Sequence, residues 1–165
     1  MKRKFWIVLV AALAVLFVPV VVKQLVPAES RQFERVGLAD TRHSEISFRN
    51  EAQDLAMGGL LFVPEGNGPF PAAVVIHGSG TSRRDNGWYL TLTQHLQDNG
   101  IAVLLPDKRG SEKSEGDWRT SSFEDLATDT LAAIDYLREQ GSVNLSGIGV
   151  IGMSQGGWIA PIAAA

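Results

Sequence analysis

The sequence predicts an α/β fold with a mainly parallel sheet, from short apolar segments that alternate with amphipathic ones. Three segments have no polar face: 72–76, 101–105 and 148–151. Strands that helices cover on both faces have this composition, which is typical of parallel sheets. Two segments with helical periodicity lie between them, 88–99 and 123–140. Strands and helices that alternate at these lengths predict the α/β class.

The chain begins with a membrane-targeting pattern. Three basic residues, 2–4, precede an apolar run from Phe5 to Val22. A basic segment before an apolar one directs a chain to the membrane, and this run is near the lower length limit for a spanning helix. We expect residues 1–26 to form a hydrophobic signal-anchor helix or, alternatively, a signal peptide cleaved near residues 26–28. The positive-inside rule then places the domain on the non-cytoplasmic side, either membrane-anchored or secreted or periplasmic after cleavage.

The next segments predict a linker and two outer strands. Residues 27–40 are polar and show no apolar period, so a linker is expected before a domain that covers 41–165. Residues 42–49 alternate between apolar and polar side chains, as an outer strand does. Residues 55–63 predict a second strand, in which the Gly58-Gly59 pair indicates a bulge or a twist.

Both predicted helices have recognisable ends. The helix over 88–99 ends before Gly100, which suits a left-handed C-terminal cap. The helix over 123–140 begins with a predicted capping box formed by Ser121 and Glu124. The apolar stripe of this second helix consists of Leu126, Thr130, Ile134 and Leu137.

Composition excludes several kinds of function. The 165 residues carry a formal net charge of -3, which gives no electrostatic reason to expect a nucleic-acid partner. The chain has no cysteine, so disulfides, thiolate metal sites and cysteine nucleophiles are ruled out. No motif indicates a metal ion or an organic cofactor, and the sequence does not indicate an oligomeric state.

The pattern G-x-S-x-G occurs where the last apolar strand gives way to a helix. A serine nucleophile at such a junction stands clear of the sheet in a strained backbone conformation. Gly152 and Gly156 leave the room that this tight turn needs around Ser154. The backbone N–H of Gln155, at the helix N-terminus, would then face the oxyanion of a tetrahedral intermediate. The alternative is a glycine-rich turn that contains a bystander serine.

A second glycine-rich segment follows the strand over 72–76. In His77-Gly78-Ser79-Gly80, the glycines would let the backbone N–H of Ser79, or alternatively of Gly80, supply the second oxyanion donor. A phosphate-binding loop is the rival interpretation, but the segment lacks the G-K-[ST] ending that such loops have. We interpret His77 as a residue that holds the loop by hydrogen bonds, with catalytic base as the alternative.

Together these motifs resemble the α/β-hydrolase superfamily, and more narrowly its serine aminopeptidase-like and dienelactone hydrolase-like esterase branch. The resemblance runs from about Thr41 to the last residue and also rests on the segments 106–110 and 114–118. It implies an antiparallel strand near the start of a mainly parallel sheet. It also implies Ser154 as nucleophile, with Gln155 and Ser79 as oxyanion donors.

The loop over 107–114 is a structural turn beside the site in this family. Glu112 departs from the pattern, because a second glycine is common at its position. We interpret Asp107 and Arg109 as structural residues that brace this loop through a salt bridge.

The order of the triad residues leads to a further expectation. In this fold the acid and the histidine follow the serine, yet only eleven residues follow Ser154, and none is acidic or histidine. We therefore expect an N-terminal part of the domain, ending after the helix that follows the nucleophile and inactive by itself. The expected function is a serine hydrolase that cleaves a carboxyl ester, thioester or amide of a small-molecule acyl substrate through an acyl-enzyme. The alternative is a membrane-tethered, non-catalytic binding module of the same fold.

Overall fold

The computed structural model describes residues 36–165, so the predicted N-terminal hydrophobic helix lies outside the described residues. It contains five strands: β1 (Ser44–Asn50), β2 (Leu55–Phe62), β3 (Phe70–Ile76), β4 (Ala102–Pro106) and β5 (Val143–Gly152). It contains three α-helices: α1 (Gly87–Asp98), α2 (Phe123–Arg138) and α3 (Gly156–Ala163). Leu38–Asp40 forms a 3-10 turn. No helix within 36–165 is both long enough and apolar enough to cross a membrane.

The five strands form one mixed sheet in the order β1-β2-β4-β3-β5. The continuously apolar strands β3, β4 and β5 run parallel to one another, as their composition predicted. Strands β1 and β2 pair antiparallel, and β2 pairs antiparallel with β4. The short connection between β1 and β2 forces this hairpin, because parallel neighbours need a much longer crossover. The described sheet is therefore mixed rather than mainly parallel.

Alternate side chains of the central strands face opposite layers of core. On one face, Val74 and Leu104 pack in a cluster with Leu137 of α2. On the other face, Val75 and Val103 pack with Leu90 of α1. This burial on both faces explains why β3 and β4 have no polar face. Strand β5 differs from this expectation: residues 148–151 are half-buried or exposed, because β5 lies at the end of the described sheet.

The glycine pair in β2 does not form a bulge. Ser47 pairs with Gly58, and Ile46 with Gly59, in continuous register. A Cβ atom on Gly58 would lie 2.7 Å from the Oδ2 atom of Asp107. The glycine is therefore needed for a close approach of the loop that follows β4, not for a break in the ladder.

The predicted left-handed cap after α1 is confirmed, whereas the predicted capping box of α2 is wrong by one residue. Gly100 follows α1 with a φ of 78°, as the predicted left-handed cap requires. The capping box of α2 lies one residue later than predicted, because Ser122 Oγ accepts from the N–H of Asp125 while Asp125 Oδ2 accepts from the N–H of Ser122. Ser121 is instead engaged with the Nη1 of Arg109 and the carbonyl of Asp117.

Candidate active site

Ser154 lies at the junction between β5 and α3 in a left-handed backbone conformation. Its φ is 52°, which is uncommon for a residue with a side chain, and the residue is exposed. Two short backbone hydrogen bonds close the turn, from the N–H of Gly156 to the carbonyl of Met153 at 2.8 Å and from that of Gly157 to the carbonyl of Ser154 at 2.9 Å. The strained conformation expected for a nucleophile at this position is present.

The two flanking glycines are crowded from both sides. A Cβ atom on Gly152 would lie 2.2 Å from the carbonyl oxygen of Gly156. A Cβ atom on Gly156 would lie 2.4 Å from the carbonyl oxygen of Ile76, at the end of β3. Any side chain at either position would collide with backbone, so the turn can form only with glycine at both.

The 77–80 loop packs directly against Ser154. A Cβ atom on Gly78 would lie 3.3 Å from the Cβ of Ser154. The N–H of Gly78 donates to the Tyr89 hydroxyl at 2.8 Å, so it is not available to a substrate. Within residues 36–165, the backbone N–H groups of Ser79, Gly80 and Gln155 donate to no protein acceptor. These three backbone N–H groups are the ones that the sequence predicted as oxyanion donors. Their role as oxyanion donors stays a prediction.

His77 is buried and holds the start of this loop. Its Nε2 lies 2.8 Å from the carbonyl oxygen of Pro106, and because a carbonyl only accepts, Nε2 carries the proton. The ring also contacts Tyr89 edge-on, with the ring centroids 4.4 Å apart. Burial lowers the pKa of His77 from 6.5 to about 4, so the side chain is neutral at physiological pH. These contacts favour the loop-holding interpretation.

The other two histidines have separate surroundings. His43 precedes β1, and its Nδ1 lies 2.9 Å from Thr41 Oγ1. His95 is exposed on α1, as expected. In the part of the chain that the structure describes, no histidine is hydrogen-bonded to Ser154. The expectation that the triad acid and histidine are not in this chain stays a prediction.

Lys108 is the residue beside the site that the sequence did not single out. It is buried, and its ammonium donates to the carbonyl of Gly78 and to the side-chain Oε1 of Gln155, both at 2.7 Å. The same nitrogen lies 4.5 Å from the ring centroid of Trp118. Burial lowers the pKa of Lys108 from 10.5 to about 8, so the ammonium form prevails at neutral pH. Only its position between Asp107 and Arg109 in the sequence motif could have indicated a role.

Asp107 and Arg109 are structural, as interpreted, but they do not pair with each other. Arg84 donates to both carboxylate oxygens of Asp107, at 2.9 and 2.6 Å. Arg109 donates to both carboxylate oxygens of Asp129 on α2, at 3.0 and 2.9 Å. Each bidentate pair is largely buried and ties the loop after β4 to a different part of the domain.

Glu112 takes the conformation that a glycine would favour. Its φ is 50°, in the left-handed region, and its Oε1 accepts from the backbone N–H of Arg84 at 3.3 Å. The turn is closed by Ser114, whose hydroxyl donates to the carbonyl of Asp107 at 2.8 Å. The departure from the family pattern therefore preserves the turn at the cost of backbone strain.

Comparisons with known proteins show the family to which this chain belongs. Residues 57–165 match the model of a family described as X-Pro dipeptidyl-peptidase (S15 family). The chain belongs to the S15 family. Esterase EstD from Thermotoga maritima is 31% identical over 67% of this chain, and thiohydrolase aneE from Aspergillus aculeatus is 34% identical over 70%. The crystal structure of the α/β hydrolase GrgF from Penicillium sp. sh18 covers 74% of this chain, with 26% identity and a TM-score of 0.66.

This S15-family chain spans only part of those relatives. It covers 28% of EstD, 35% of aneE and 41% of the GrgF chain. The resemblance to the α/β-hydrolase superfamily is confirmed, and the relatives are named as enzymes of the hydrolase class. Within residues 36–165 of the S15-family chain, no group of three or more histidine or acidic side chains is arranged to hold a metal ion.

Proposed function

We propose that the protein to which this chain belongs is a serine hydrolase that cleaves a carboxyl ester, thioester or amide through an acyl-enzyme on Ser154. The observation that carries the proposal is the exposed Ser154 at a φ of 52°, with the 77–80 loop packed against it. A left-handed serine at a junction of strand and helix is typical of a nucleophile turn, and backbone strain of this kind clusters at active sites. The esterase and thiohydrolase relatives support the same class of reaction.

The proposed reaction has two halves. Ser154 Oγ attacks the substrate carbonyl carbon while a histidine, carried outside these 165 residues, takes the hydroxyl proton. The N–H groups of Ser79 and Gln155 hold the oxyanion that forms. The carbonyl then reforms, and the alcohol, thiol or amine leaves with the proton from the histidine. Water, deprotonated by the same histidine, attacks the acyl-enzyme, releasing the carboxylic acid and regenerating Ser154.

Covalent labelling tests the nucleophile. We expect a fluorophosphonate probe to label the full-length protein once per molecule, at Ser154, and Ser154→Ala to abolish labelling. Ser146→Ala is the matched control, because Ser146 is an exposed serine in β5, the strand that leads to Ser154, and this variant should label like the wild type. If the folded wild-type protein takes up no label, the proposal of a serine hydrolase is contradicted. That result would favour a non-catalytic binding module of the same fold.

Matched substrates separate the possible leaving groups. We propose an ester as the first choice, on the name of EstD, with thioesters and amides as alternatives. The comparison uses one acyl group presented as a p-nitrophenyl ester, a thioester and a p-nitroanilide. The ester should give the highest kcat/KM, and a higher value for the anilide would indicate a peptidase instead.

We also propose that the domain lies outside the cytoplasm, tethered to a membrane by the N-terminal segment. The basic residues 2–4 before the apolar run Phe5–Val22 support this proposal. In a protease-protection assay on intact cells freed of any outer envelope, the domain should be digested without lysis of the membrane that carries it. Digestion only after lysis would place it in the cytoplasm.

A further inference from the structure

The ammonium group of Lys108 connects three parts of the chain that are distant in sequence. Its nitrogen has three partners: the carbonyl of Gly78, the side-chain oxygen of Gln155 and the ring of Trp118. Lysine has three donors and no acceptor, so acceptor oxygens and an aromatic ring suit it. These contacts restrain the nitrogen between the 77–80 loop and the 152–156 turn.

The bond to Gly78 determines how the next peptide N–H is oriented. The carbonyl of Gly78 and the N–H of Ser79 belong to one planar trans peptide unit, in which the two groups point in opposite directions. Because Lys108 holds the carbonyl at 2.7 Å, the N–H of Ser79 must point away from the lysine. A cation on the carbonyl also polarises the peptide and makes its N–H a stronger donor.

The bond to Gln155 fixes the residue that supplies the second donor. Gln155 caps α3 with its backbone, and its side chain makes no capping hydrogen bond. Its Oε1 instead accepts from Lys108 at 2.7 Å, the same distance as the bond to Gly78. One nitrogen atom therefore spaces the loop that holds Ser79 relative to the turn that holds Gln155.

We infer that Lys108 is a positioning residue of the oxyanion hole, which sets the direction of the Ser79 N–H and its separation from the Gln155 N–H. This inference rests on the proposed function, because the two N–H groups matter only if an oxyanion forms at Ser154. The Trp118 ring, whose centroid lies 4.5 Å from the nitrogen, adds a third contact that helps to hold the ammonium at its two oxygen partners.

The test compares Lys108→Met and Lys108→Arg in the full-length protein, with Lys113→Met as the matched control. Lys113 lies in the same loop, but its ammonium is exposed and pairs with Glu45. The measurements are kcat and KM for p-nitrophenyl butyrate per active site titrated with fluorophosphonate, the rate of fluorophosphonate labelling, and the circular dichroism spectrum. Loss of one oxyanion donor costs about 100- to 1000-fold in kcat, so a misdirected donor should cost about 10- to 100-fold.

We expect Lys108→Met to lower kcat and the labelling rate in parallel by that factor while KM changes less than twofold. Lys108→Arg should fall between Met and wild type, and Lys113→Met should match wild type. A kcat per titrated site within twofold of wild type in Lys108→Met would overturn the inference. So would a loss confined to the number of titratable sites, because that result means only that fewer molecules fold.

A second variant covers the case in which Lys108→Met does not fold. Gln155→Met removes one acceptor and leaves the lysine in place, and it should lower kcat about 3- to 10-fold with KM unchanged. An unchanged kcat would overturn the tethering role. Labelling of the wild type separates the two proposals. A wild type that is not labelled refutes both the serine hydrolase and the role of Lys108. A wild type that is labelled, with a Lys108→Met variant of equal kcat and labelling rate, refutes only the role of Lys108.

Discussion

The turn that presents Ser154 should be far less tolerant of a methyl group at Gly152 than at Gly149, although both glycines belong to β5. A Cβ atom on Gly152 would meet backbone atoms of Gly156 at 2.2 and 2.4 Å and the backbone nitrogen of Gly157 at 2.7 Å. A Cβ atom on Gly149 would meet nothing within 4 Å. The pair therefore compares one crowded and one open position on a single strand.

The collision at Gly152 cannot be relieved by rotating a side chain. The 2.2 Å separation would have to grow to at least 3.0 Å, and the obstacle is the first turn of α3. That turn is itself confined, because Gly156 lies against the carbonyl of Ile76. The backbone has to move to relieve this overpacking. We therefore expect Gly152→Ala to lower the free energy of unfolding by about 3 kcal/mol, which is a large fraction of the stability of a domain.

Urea unfolding followed by circular dichroism measures this cost. With a slope of about 1–3 kcal/mol per M, Gly152→Ala should lower the midpoint by about 1–3 M. Gly149→Ala should leave the midpoint unchanged or raise it slightly, because alanine loses less backbone entropy than glycine in a strand. Equal midpoints for the two variants would refute the close approach between β5 and α3 on which the interpretation of the site depends.

Three further predictions concern strain, protonation and buried charge. Ser154→Gly should be more stable than Ser154→Ala by about 1 kcal/mol in urea unfolding, because glycine relieves the left-handed conformation and alanine does not; equal stabilities would contradict the strain. The pKa of His77 is lower in the folded than in the unfolded state, so the unfolded chain binds the proton first as the pH falls. The free energy of unfolding of the wild type should therefore decrease by up to about 3 kcal/mol between pH 6.5 and pH 4. His77→Gln, which cannot take up that proton, should lack this part of the pH dependence, and identical pH–stability curves would count against a buried neutral imidazole. Asp129→Leu should destabilise the domain by about 3–5 kcal/mol in the same assay, because it leaves Arg109 buried without its carboxylate; adding Arg109→Met should recover part of the loss, and no recovery would argue against the pair.

The parts of the fold that the sequence predicted well depend on short-range patterns. The apolar segments became β3, β4 and β5, and Gly100 took its left-handed conformation after α1, because these features follow from the residues within a few positions of each other. The 152–156 turn was predictable for the same reason: its two glycines and its serine specify one local geometry.

Predictions failed where a neighbour in the chain offered an equally good alternative. Ser121 and Ser122 can both begin a helix, and the choice fell to Ser122 because Ser121 is hydrogen-bonded to Arg109. The Gly58-Gly59 pair suits a bulge as well as a close approach, and the loop after β4 decided between them. In each case a contact from a distant part of the chain selected among local options.

The sequence by itself determined the α/β class, the parallel central strands and the position of Ser154, because periodicity and glycine spacing act over a few residues. Only the tertiary structure decided which charges pair and what Lys108 binds. Asp107 pairs with Arg84, and Arg109 pairs with Asp129. Lys108 donates to Gly78 and Gln155. No local sequence pattern encodes contacts over these separations along the chain. The physical reason is that a buried charge must be matched by a partner, and only the packing of the strands and helices determines which partner is within reach.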